Sequence, residues 1–187
     1  MNLDQKNKVL DEFSVENEFY RSASVTRLGK LVTHLDLFRR SSGLPGEIVE
    51  CGVFKGASLY RWIKFRGLLE NQGSRKIIGF DVFGEFPEAQ NEADRKRRQS
   101  FVDAAGSRGP SQEEIIHSLE KQGLAGNVEL ISGDVLQTIP SYVSQHEELK
   151  ISLLNVDVDL YEPTFCCLEM LYSKVVSGGI VILDDYG

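Results

Sequence analysis

Four aspartates stand in two short strings, Asp157 and Asp159 in DVD and Asp184 and Asp185 in DD. Each string closes an apolar run, Ile151 to Val158 and Gly179 to Asp185. If these runs are neighbouring strands, their carboxylates gather at one end of a sheet. Like charges in a partly desolvated cleft are costly unless a cation, a shared proton or water offsets them. A hard divalent ion such as Mg²⁺ takes oxygen ligands and keeps waters that a substrate can displace. The plainer alternative has two acids facing solvent and one capping the helix after Pro163.

A second group lies earlier. Gly52, Phe54, Gly56 and Ser58 form a GxFxGxS turn after the apolar run EIVEC. The turn lacks the middle glycine that lets a dinucleotide pyrophosphate approach the backbone. Its amides and the Ser58 hydroxyl suit the amino acid portion of S-adenosylmethionine (SAM). A tight strand-to-helix connection with no ligand is the alternative. Asp81 ends the next apolar run, where the acid of a nucleotide-binding βαβ unit accepts hydrogen bonds from ribose hydroxyls; an exposed acid or helix cap is the alternative. Asp134, after a third run, faces the adenine side of the same pocket or simply makes a turn.

These residues need a scaffold, and the pattern supplies one. Ser24 to Arg40 reads as a leading helix that ends in Arg39 and Arg40. Glu47 to Gly52, Lys76 to Val82, Val128 to Gly133, Ile151 to Val158 and Gly179 to Asp185 read as strands. Helices are expected over Ala57 to Asn71, from the SQEE capping box at Ser111 to near Gly123, and over Thr164 to Val176. Residues 83–127 form a polar, lid-like insertion carrying Arg95 to Arg98, a run that reads as a solvated helix face. The alternation predicts an α/β, doubly wound, Rossmann-like parallel sheet with its ligands beyond the carboxyl ends of the strands. Residues 1–44 are a helical lead-in and residues 45–187 the core.

Composition narrows the function classes. A net charge of -7 argues against a broad nucleic-acid or anionic-membrane footprint. No apolar run reaches the ~18 residues of a membrane span, and the N-terminus lacks a signal-peptide pattern. Cys51, Cys166 and Cys167 have no CxxC spacing and suit reduced thiols in a cytoplasm. His34, His117 and His146 read as structural or exposed.

The strings VECGVFKGAS, GFDVFGEFP, LLNVDVDLYEPT and LEMLYSKVVSGGIVILDDYG resemble the macrocin O-methyltransferase family, over residues Pro45 to Gly187. The resemblance implies a class I SAM-dependent methyltransferase acting on hydroxyls of sugars or glycosylated small molecules in natural product biosynthesis. It implies that Glu50, Gly52, Phe54, Gly56 and Ser58 hold the methionine part of SAM, that Asp81 holds ribose and that Asp134 lies by adenine. It further implies Mg²⁺ at Asp157, Asp184 and Asp185, with Asp157 or Asp159 as the base. A homo-oligomer is compatible with it. Val82 stands where the family commonly has Ser. The class I sheet usually continues through two further strands, so an ending at Gly187 suggests a fragment or a degenerate copy. The rival readings are a non-catalytic SAM-binding domain and a metal-dependent sugar-nucleotide glycosyltransferase.

Overall fold

The computed structural model describes residues 11–85 and 92–184. Two compact units divide between Asp36 and Leu37. The first contains helix α1 (Glu12–Ser22), capped by Asp11, whose carboxylate accepts from the Ser14 amide. Helix α2 (Val25–Ser41) begins in this unit and ends in the second.

The second unit holds five strands: β1 (Glu47–Cys51), β2 (Ile77–Asp81), β3 (Val128–Ser132), β4 (Ile151–Val156) and β5 (Val175–Leu183). Their order is β3-β2-β1-β4-β5 and every pairing is parallel. The helices between them are α3 (Ala57–Leu69), α4 (Glu92–Ala105), α5 (Gln112–Lys121), α6 (Val135–Gln145) and α7 (Tyr161–Leu171). Strand order therefore runs outward from β1 in one direction and resumes at β4 in the other. That reversal opens a crevice between the carboxyl ends of β1 and β4.

Alternation along the central strands assigns the two sheet faces. Val49, Cys51, Ile78, Phe80, Leu154 and Val156 pack with Ile139 and Tyr142 of α6 and Cys167 and Leu171 of α7. Glu50 and Gly79 look the other way, toward α3: Ser58 donates to Glu50, and a side chain at Gly79 would meet Leu59. At the amino end of the sheet, Arg75 lies 4.8 Å over the Phe38 ring and pairs with Glu70 at 2.6 Å. It also donates to Ser41 and Ser152.

Helix α5 starts where the capping box requires, with Ser111 and Glu114 satisfying each other's backbone amides. Other boundaries move. The last helix begins at Tyr161, three residues before the expected Thr164, and ends at Leu171 rather than Val176. A 3₁₀ turn, Tyr172–Lys174, then leads into β5, which starts at Val175 and so claims residues assigned to helix. Their β-branched side chains fit the strand. Helix α6 adds to the expected helices and carries Pro140 in its interior, where proline removes a helical hydrogen bond. Asp134 compensates at the start by accepting from the Leu136 amide.

Candidate functional site

The crevice between β1 and β4 is a cleft open to solvent. Its wall is drawn from four strand ends. Gly52 and Phe54 follow β1, Asp81 ends β2 with Val82 and Gly84 after it, Gly133 and Asp134 follow β3, and Asp157, Val158, Asp159, Leu160 and Pro163 follow β4.

Gly52 explains why the cleft can form. With φ at +87°, a Cβ there would lie 1.7 Å from the Asp157 carbonyl oxygen. The backbones after β1 and β4 approach closely there, and Asp157 N–H donates to the Cys51 carbonyl at 2.8 Å. Gly56 caps α3 at φ +83°, where a Cβ would press on the Tyr60 ring at 2.8 Å. Phe54, at φ 47°, and Asp159, at φ 60°, are non-glycine residues held in the left-handed region on opposite sides of the cleft. At Asp159 the chain turns back within three residues, the Leu160 amide donating to the Val158 carbonyl at 2.7 Å. Strain of this kind concentrates at functional sites.

Asp81 ties the turn together. Its Oδ2 accepts from the Val53 and Phe54 amides at 2.7 and 2.9 Å, and its Oδ1 accepts from the Phe83 amide at 2.8 Å. A carboxylate has about four acceptor sites, so Asp81 retains capacity for a ligand hydroxyl. Asp134 has one oxygen on the α6 cap. With Asp157 and Asp159, these acids make a strongly negative lining, suited to a ligand that brings positive charge.

The expected residues separate into two sets. Gly52, Phe54, Asp81, Asp134, Asp157 and Asp159 line the cleft, whereas Glu50, Gly56 and Ser58 do not appear in its wall. Ser58 is 7% exposed and donates to Glu50 Oε1 at 2.5 Å. Burial, first of all, raises the Glu50 pKa to about 8; the Ser58 hydrogen bond opposes this and the Asp157 charge adds to it. Asp184 follows β5, its amide bonded to the Val156 carbonyl at 3.0 Å. Asp185 and Tyr186 lie outside the described residues. Among the described residues, no three His, Cys, Asp or Glu side chains form a group able to hold a metal ion. The expected Mg²⁺ set of Asp157, Asp184 and Asp185 therefore lies partly outside the described residues. The apolar wall of Phe80, Val82, Val135, Val158, Leu160 and Pro163 was missed by motif reading. Its only sequence signal is adjacency to strand ends.

The sheet order and cleft position are those of a doubly wound Rossmann-like fold, and similarity to solved methyltransferases makes it the class I methyltransferase fold. Two solved structures agree. Calicheamicin methyltransferase CalS11 superimposes with a TM-score of 0.68 at 26% identity, covering 94% of this chain and 71% of that one. The O-methyltransferase NovP gives 0.66 at 26% identity, covering 84% and 64%. The macrocin-O-methyltransferase (TylF) family pattern matches residues 22–187, and the chain belongs to that family. A tetracenomycin-C 4'-O-methyltransferase from Streptomyces olivaceus, named for a dimethoxy-rhamnosyl substrate, is 30% identical over 78% of this chain and 55% of its own length. Demethyldecarbamoylnovobiocin O-methyltransferase from Streptomyces niveus is 31% identical over 78% and 54%. The chain thus spans about half the length of these curated relatives. Among the described residues, no helix is long and apolar enough to cross a membrane.

Proposed function

We propose that this chain binds SAM in the β1–β4 cleft and serves an O-methyltransferase whose acceptor is a hydroxyl of a sugar or glycosylated small molecule. The observation that carries the reading is the cleft itself: a glycine turn and four carboxylates at the strand-order reversal of a family member. SAM presents a sulfonium and an ammonium, and the acidic lining offsets both charges. Asp81 accepts from ribose, and the apolar wall near Asp134 and Val135 receives adenine.

Transfer places the acceptor oxygen in line with the sulfonium methyl. The new O–C bond forms as the C–S bond breaks, giving a methyl ether and S-adenosylhomocysteine. The hydroxyl proton passes to Asp157 or Asp159, which face the cleft after β4. A sugar acceptor accords with the names of the relatives. Asp157, Asp184 and Asp185 would hold Mg²⁺, as the family resemblance implies, and the ion would favour the alkoxide form of the acceptor.

Calorimetric titration with S-adenosylhomocysteine, with and without Mg²⁺, tests the cofactor without requiring an acceptor. Micromolar binding, about -8 kcal/mol, is expected. Failure of a folded sample to bind would refute the cofactor assignment for this chain.

A further inference from the structure

The connection between α4 and α5 returns to the cleft and lodges there against backbone. Gly109 is buried in it, and its N–H donates to the Gly84 carbonyl at 3.0 Å. Beside this bond, Glu85 and Arg108 form an antiparallel bridge. Gly109 also abuts the turn after β1. A Cβ built on it would lie 2.4 Å from the Phe54 carbonyl oxygen, 3.0 Å from the carbonyl carbon and 3.6 Å from Cα. All three are backbone atoms, so no flexible side chain could give way. Gly109 itself lies outside the left-handed region, and the close approach alone calls for glycine.

Phe54 is the residue on which this contact bears. Its φ of 47° is held by a non-glycine residue only where the surroundings over-determine it. Asp81 supplies one restraint, accepting from the Val53 and Phe54 amides. Gly109 supplies the other at the carbonyl, so the peptides on both sides of the Phe54 Cα are held. The same carboxylate accepts from the amide of Phe83, a second left-handed residue, next to the Gly84 that Gly109 grips. Three segments thus meet at two strained residues: the turn after β1, the turn after β2 and the α4–α5 connection. Phe54, Asp81 and Gly84 line the cleft, whereas Gly109 is absent from its wall.

We infer that Gly109 is a positioning residue for the cofactor site: the α4–α5 connection, seated by its bond to Gly84, holds the Phe54 turn in its binding shape without touching the ligand. A side chain at 109 pushes the Phe54 carbonyl away, and rotation about the Phe54 backbone then pulls its amide from Asp81. By linkage, whatever holds the turn is itself held more firmly once a ligand occupies the turn. The affinity part of this inference rests on the proposed function, and the hold on Phe54 is tested without it.

Gly109→Ala should bind S-adenosylhomocysteine about tenfold or more weakly in calorimetry. Without ligand, its Val53 and Phe54 amides should exchange with deuterium faster, while the β1 amides of Val49 and Glu50 exchange as in wild type. Gly106→Ala separates positioning from stability, because a Cβ there meets nothing within 4 Å although the φ of +82° strains it. That variant should melt earlier and still bind within about twofold of wild type. Binding within about twofold by folded Gly109→Ala, unchanged exchange at Val53 and Phe54, or an equal loss of affinity in both variants overturns the inference. Should Gly109→Ala not fold, wild type decides: saturating S-adenosylhomocysteine should slow exchange of the Gly109 amide, and no slowing overturns the role. If wild type binds none, the cofactor reading falls, and ligand-free exchange at Val53 and Phe54 still decides whether Gly109 holds the turn.

Discussion

Asp157 and Gly52 meet at the carboxyl ends of β1 and β4, and each supports a prediction. Asp157→Asn should lower turnover about 100-fold or more while S-adenosylhomocysteine binding persists in calorimetry. Retained turnover would remove Asp157 as the base and leave Asp159. Gly52→Ala places a Cβ 1.7 Å from the Asp157 carbonyl oxygen in a backbone conformation at φ +87°. A large fall in thermal midpoint is expected, with loss of S-adenosylhomocysteine binding at temperatures where the variant remains folded. Glu50 gives a pH signature. Its folded pKa, about 8, exceeds the ordinary 4.5, so the folded state keeps a proton that the unfolded state has released between these values. Its contribution therefore falls as pH rises through that window, by about 1.4 kcal/mol per unit. Thermal melts should show Glu50→Gln gaining on wild type from pH 5 to pH 8; parallel curves would refute this. The glycine turn and the acids after each strand were legible in the sequence because chemistry requires those types at strand ends. The burial of Glu50 was not, since it depends on which sheet face α3 covers.

Helices and strands divide in the same way. The capping box fixed the start of α5 from sequence because its two hydrogen bonds are local. Ser111→Ala should cost about 1 kcal/mol, read as a lower denaturant midpoint, and an unchanged midpoint would mean that the cap adds nothing. Helix α6 is less legible, since Pro140 interrupts a pattern whose apolar positions Val135, Ile139 and Tyr142 are buried. The end of α7 was placed too late because Val175 and Val176 continue its apolar pattern, and pairing with β4 draws them into β5 instead. In both cases tertiary contact overrode local propensity.

For the whole unit, the parallel order was readable from alternating strands and helices, whereas the buried ion pair at its amino end was not. Arg75 comes from the α3–β2 loop and reaches Glu70, Ser41 and Ser152, which the chain separates widely. Arg75→Ala should destabilise this unit by about 3 kcal/mol or more, measured by chemical denaturation; a loss below about 1 kcal/mol would mean that the pair merely offsets its own burial. The proton on Glu50 has one further consequence. Near pH 7, below its raised pKa of about 8, folded Glu50 keeps a proton that unfolding releases to the buffer. The calorimetric enthalpy of unfolding should accordingly vary with the ionisation heat of the buffer, differing between Tris and phosphate in wild type and much less in Glu50→Gln.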